Sequence, residues 1–168
     1  MSNTMERTKN KHKNVFLSFR LGKETFAVSV KKVLEVLQQQ HITEVPDVPA
    51  YIKGVINFRG DILPICDARI KFNLPVQDND EKCVVIVLDL ENNDQKMRIG
   101  AIADGVKDVI SIEESDIRPV PEMGLRYNAE YLSGMIKSGD SFIMVLNVDK
   151  VFTTDEVNVI NSVSPEQD

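Results

Sequence analysis

The sequence predicts an all-β protein built as two small barrels that share an apolar seam, and three features predict it. Short runs rich in β-branched residues alternate with turn residues along most of the chain. Only two pieces look helical. The first half of the chain is echoed by the second.

Taken in order, the runs are 15–21, 25–30, 33–37, 55–58, 62–66, 83–90, 97–103, 106–112, 132–136 and 142–148. Ten short strands suit barrels or a sandwich. Single glycines mark the turns and strand ends between them, among them Gly22, Gly60, Gly105 and Gly139. A helical turn is expected over 68–72, and a second helix over 154–163, where Thr153 or Thr154 is placed to cap the start. The polar, turn-rich stretch 73–82, with Pro75 and Asp78-Asn-Asp80, marks a division between two subdomains of about 15–75 and 83–152, with strand exchange between them allowed. Residues 1–14 are expected to be a disordered basic tail, and 153–168 a C-terminal helix and tail.

The repeat is legible in two places. Val33-Leu-Glu-Val-Leu37 is echoed by Val106-Lys-Asp-Val-Ile110, with an acid at the same position. Gly54-Val-Ile, Gly60-Asp and the apolar run to Asp67 are echoed by Gly134-Met-Ile, Gly139-Asp and the run to Asn147. Two like barrels, each closing its own edges and packed through an apolar seam, satisfy that pattern and leave a groove between them.

The stretch Gly54-Val-Ile-Asn-Phe-Arg-Gly60-Asp-Ile-Leu-Pro-Ile65 carries the clearest binding signal. Two apolar runs flank an Arg-Gly-Asp turn, read as a three-residue hairpin loop in which Gly60 takes positive φ and Arg59 points outward with its five donors. An exposed guanidinium suits a carboxylate or carbonyl partner. The run 33–37 is more apolar than one buried face needs, so it is either buried on both faces or partly exposed in the groove. Glu35, an acid among four large apolar residues, has to reach water or a donor.

The composition narrows the function. Net charge is −6, with +3 on the first 14 residues and −9 on the rest. An acidic body without interleaved basic and aromatic residues argues against nucleic acid, the rival for any small-barrel protein. No run of 18 apolar residues and no signal-peptide pattern occurs, so a cytoplasmic protein without membrane insertion is expected. Cys66 and Cys83 both lie in apolar runs, are too far apart for a metal knuckle, and read as small core residues. Catalytic carboxylate pairs, nucleophile triads, metal clusters and phosphate loops find no usable spacing. His12 lies in the tail, and His41 follows a run of glutamines in a loop. The expectation is a binding module with no enzyme activity, metal or cofactor.

From about residue 15 to 152 the chain resembles the CheW coupling proteins of bacterial chemotaxis, whose relatives form the regulatory domain of the kinase CheA. The likeness rests on Phe16-Leu-Ser-Phe19, Val33-Leu-Glu-Val36, Pro49-Ala-Tyr-Ile-Lys-Gly-Val-Ile-Asn-Phe-Arg-Gly60, Pro64-Ile-Cys-Asp-Ala-Arg69, Ala103-Asp-Gly-Val106, Ile117-Arg-Pro119 and Tyr131-Leu-Ser-Gly134. The resemblance implies two intertwined five-stranded SH3-like barrels. It also implies an adaptor joining the cytoplasmic tip of a transmembrane chemoreceptor to the histidine kinase CheA, recruited to receptor arrays. It places receptor contacts at Val33, Glu35, Gly54, Asn57, Arg59 and Val109. It places contact with the kinase, or with further copies in rings, at the loop carrying Glu122 and Met123. Met123 stands where relatives often have an aromatic, and Ala68 replaces a common leucine, a change expected to bear on packing.

Overall fold

The computed structural model describes residues 13–38, 40–76, 83–92, 95–121 and 129–151. The chain begins with a hairpin of β1 (Lys13–Leu21) and β2 (Glu24–Ser29), and a 3-10 turn at Val30–Lys32 leads into β3 (Val33–Leu37). A second hairpin, β4 (Ile52–Phe58) and β5 (Asp61–Asp67), ends in the short helix α1 (Ala68–Lys71). The pattern then repeats. A hairpin of β6 (Val84–Asn92) and β7 (Gln95–Ala103) passes into β8 (Gly105–Glu113), a 3-10 turn at Glu114–Asp116 and the two-residue β9 (Ile117–Arg118). A 3-10 turn at Ala129–Tyr131 precedes the hairpin β10 (Leu132–Ser138) and β11 (Ser141–Leu146), and α2 (Val148–Val151) follows.

Every expected run forms a strand. Two end early: Val30 opens a 3-10 turn instead of continuing β2, and Val148 opens α2 instead of continuing β11. The short β9 had no signal of its own. Lys13 and Asn14, assigned to the tail, begin β1, while the rest of that tail and the helix expected over 154–163 lie outside the described residues.

The strands form a five-stranded sheet, β3-β6-β7-β5-β4, and a six-stranded sheet, β8-β1-β2-β11-β10-β9. Matching each strand to its counterpart in the repeat, β1 to β6, β2 to β7, β3 to β8, β4 to β10 and β5 to β11, turns one order into the other apart from β9, which has no counterpart strand. Each sheet therefore takes its leading hairpin from one half of the chain and its remaining strands from the other. Even the irregularities correspond, since both second hairpins shift register, between Ile52 and Gly54 and between Leu132 and Gly134. The sheets thus do not divide at the 73–82 segment, which falls between β5 and β6 of one sheet; reciprocal exchange of hairpins replaces the contiguous halves. Parallel pairing of β5 with β7 and of β11 with β2 joins the halves within each sheet.

Exchange explains why the central strands are apolar on both faces. Ile86, Leu88 and Leu90 of β6 join Phe19, Phe26, Val28, Leu132, Met144 and Leu146 in the core shared by the two sheets. The alternate residues Val85 and Val87 pack inside the five-stranded sheet against Ile56, Phe58, Leu63, Ile65 and Ile102. Ala27 of β2 lies inside the six-stranded sheet with Phe16, Ile136 and Val145. Period-2 alternation between two cores gives an unbroken apolar run. Stacked Phe19, Phe26 and Phe72, at 6.3 and 5.7 Å, continue to Tyr131 at 5.6 Å and fill the seam with large buried aromatic area.

Candidate functional site

The β4–β5 hairpin turns in two residues, because Phe58 pairs with Asp61. This corrects the three-residue loop expected from sequence. Arg59 at φ 54° and Gly60 at φ 88° have the two positive values of a type I′ turn, whose twist matches that of the flanking strands. Glycine takes such a φ freely, whereas an arginine there is strained by about 1–2 kcal/mol. The turn is held by its neighbours. Asn57 Oδ1 accepts the Gly60 N–H at 3.0 Å, the Arg59 guanidinium lies 4.8 Å over the Phe58 ring, and its Nη2 donates to Glu35 Oε1 at 2.7 Å.

That ion pair answers the question Glu35 posed: its donor comes from within the molecule. The pair links β3 and β4–β5, the two margins of the five-stranded sheet, so the sheet is curled far enough for them to meet. The side chains remain 58% and 38% exposed, so the pair adds only about 0.2–1 kcal/mol to stability. Its charges stay open to a partner. On β3, Val33, Glu35 and Leu37 are half-buried while Leu34 and Val36 are exposed, so the strand is not buried on both faces. Ile62, opposite Asn57, is exposed as well. Sequence reasoning left open which residues of 33–37 are exposed and did not single out Ile62, because an apolar residue in a strand carries no mark of which face meets solvent.

The other expected residues divide. Gly54 is buried, with φ 143°, and a Cβ there would overlap the Thr43 carbonyl; its glycine is required by close packing beneath the Thr43–Val55 bridge. Val109, 65% exposed, lies on β8 of the other sheet, opposite Leu17. The surface expected to bind a partner is therefore split over both sheets. Glu122 and Met123 lie outside the described residues.

A second cluster was missed entirely. Arg69, only 2% exposed, donates through Nε and Nη2 to Asp67 at 2.9 Å each, and through Nη1 to Asp104 Oδ1 at 2.8 Å. Asp104 Oδ2 accepts the Gly22 N–H at 2.6 Å. The Asp67 hydrogen bonds, ahead of burial, which acts the other way, raise the Arg69 pKa and keep it protonated. Asp104-Gly105 reads as a simple turn in sequence, and nothing local shows that Arg69 reaches it.

Among the described residues, no group of three or more His, Cys, Asp or Glu is placed to hold a metal. Cys66 is fully buried and its thiol is pushed up to about 12 by burial, which disfavours the nucleophilic thiolate. Cys83 is half-buried, not a core residue as expected, and its Sγ lies 3.6 Å from Arg69 Nη1. His41 is exposed in a loop. Lys71 sits 4.5 Å over Tyr51 and 5.7 Å over Tyr131, the residues that precede β4 and β10, and burial lowers its pKa. These groups form a packed, charge-compensated frame carrying an exposed cation–carboxylate pair.

The family model for the CheW-like domain matches residues 15–156. The chain belongs to that family. It is 36% identical over 149 residues to a chemotaxis protein CheW from Klebsiella aerogenes, covering 89% of this chain and 87% of the relative. It is 31% identical over 140 residues to one from Helicobacter pylori, covering 83% and 82%. Among solved structures, the scaffolding protein TtCheW from Thermoanaerobacter tengcongensis superposes with a TM-score of 0.75 at 26% identity, covering 85% of this chain and 90% of that one. The CheW-like family is one of chemotaxis scaffolds, and the all-β, two-sheet architecture agrees with that neighbour. No helix among the described residues is long and apolar enough to cross a membrane.

Proposed function

We propose that this CheW-like chain is a non-enzymatic adaptor that couples the cytoplasmic tip of chemoreceptors to the histidine kinase CheA, and that the Arg59–Glu35 pair is its receptor-facing contact. One observation supports this most: a strained arginine is held at a hairpin tip by Asn57, Phe58 and Glu35, yet stays more than half exposed. Backbone strain persists where the surrounding structure over-determines it, and such positions cluster at functional sites. The chain's resemblance to chemotaxis scaffolds supplies the partners. A helical receptor tip would find charge for orientation at Arg59 and Glu35, and apolar area at Ile62 and Val109.

The test is a pull-down with receptor cytoplasmic fragments and with CheA, alone and together, using the parent and Arg59→Asp. The expected result is binding to both by the parent and selective loss of the receptor by the variant. Equal receptor binding by the two proteins would remove Arg59 from the site, and binding to neither partner would remove the adaptor role.

A further inference from the structure

Among the described residues the chain passes between the two sheets at two points, and an ion pair pins each. The first is the 3-10 turn Val30–Lys32, between β2 of the six-stranded sheet and β3 of the five-stranded one. Lys32 Nζ meets Asp149 Oδ2 at 2.8 Å, and Asp149 Oδ1 accepts the Glu91 N–H at 2.9 Å. The second is Asp104, the single residue between β7 and β8, which meets Arg69 and the Gly22 N–H.

The two clasps occupy equivalent places in the repeat with opposite polarity. Arg69 and Asp149 are each the second residue of the short helix that closes a half. In both clasps one carboxylate takes a cation on one oxygen and, on the other, a backbone N–H near the tip of a leading hairpin. They differ in strength. Arg69 and Asp104 are 3% and 13% exposed, with Asp67 as a further partner, so their charges are screened little by salt. Lys32 and Asp149 are 29% and 30% exposed and form a single pair open to water and salt.

We propose that Lys32–Asp149 is the yielding clasp of the two, and that Asp149 and Lys32 are positioning residues which set the angle between the sheets and hence the register of the split partner surface. Lys32 directly precedes Val33, the first residue of β3, and lies three positions before Glu35, while Val109 sits on the other sheet. A rotation at this crossover moves Glu35 relative to Val109 and leaves the buried Arg69–Asp104 clasp as the fixed hinge. The binding part of this inference rests on the receptor reading above.

The test uses the full chain with Asp149→Asn, which keeps an acceptor for the Glu91 N–H but loses the charge, Asp149→Lys, and the exchanged pair Lys32→Asp with Asp149→Lys. Residual dipolar couplings report the angle between the sheets, and titration with a receptor tip fragment reports affinity. Both single variants are expected to change the inter-sheet angle and weaken binding about threefold, the size of an exposed pair, with little change in melting temperature. The exchanged pair restores the charge pair but not the acceptor for the Glu91 N–H, which lysine lacks, so it recovers part of both. An unchanged angle in both single variants, or an exchanged pair no better than Asp149→Lys, would overturn the proposal. A parent that binds no receptor fragment would sink the receptor reading, and the couplings would then decide alone on the clasp.

Discussion

The β4–β5 and β10–β11 hairpins occupy the same place in the two halves, share a register shift, and end in turns that each contain a glycine at positive φ. Their tips differ. The first places Arg59 beside Gly60, ties it to Asn57, stacks it on Phe58 and pairs it with Glu35. The second has Gly139-Asp140, and the counterpart of Glu35, Asp108, exchanges backbone hydrogen bonds with Ser18 Oγ instead. The scaffold is thus duplicated, and the arginine–glutamate tip is built on one copy only. Both two-residue turns take positive φ at their first position, which Gly139 adopts freely and Arg59 adopts at a cost, so it is the choice of arginine there, not the turn itself, that distinguishes the first tip.

Four measurements would break or sharpen this contrast between the halves. Arg69→Met should cost about 3–5 kcal/mol, because it strands Asp67 and Asp104 as buried charges, whereas Asp149→Ala at the equivalent position should cost under about 1 kcal/mol. Urea unfolding compares them, and equal losses would erase the difference between the clasps. Next comes Gly54→Ala, expected to cost about 3 kcal/mol or more because both φ and the Thr43 carbonyl forbid a side chain. Gly134→Ala meets chiefly the Ile117 side chain, which gives way more readily, so about 1–2 kcal/mol is expected there.

Cys66 and Leu146 face equivalent partners, Ile52 and Leu132, but only the thiol titrates. Folded, Cys66 holds its proton to about 12, against an ordinary value of 9.0. Between those pH values the folded state binds more protons than the unfolded, so stability falls as pH rises, by roughly 1–2 kcal/mol at pH 10. Cys66→Val should remove that part of the alkaline loss, and a melting-temperature profile unchanged from the parent's would show the thiol is not responsible. The smallest effect on stability belongs to Arg59→Asn. Asparagine before glycine suits a type I′ turn, which offsets the lost ion pair, so stability should stay within about 0.5 kcal/mol of the parent. Receptor binding should nevertheless be lost. A melting temperature several degrees lower would show that Arg59 supports the fold.

Much of this protein was legible one residue at a time. β-branched runs between glycines located the strands, the echo of Val33–Leu37 in 106–110 revealed the duplication, and the outlying acid Glu35 declared that it needed a donor. Exposure was harder to read. Val33 and Leu34 look alike in sequence, yet the alternation along β3 half-buries one and exposes the other.

The sequence by itself determined the all-β class, the repeat and the location of the charged hairpin, because those depend on propensity and pattern over a few residues. Only the tertiary structure decided that the halves exchange hairpins, that Arg59 finds Glu35 across 24 positions and that Asp104 receives both Arg69 and Gly22. Such pairings link residues far apart in the chain, and they exist only once the two sheets have closed on their common core.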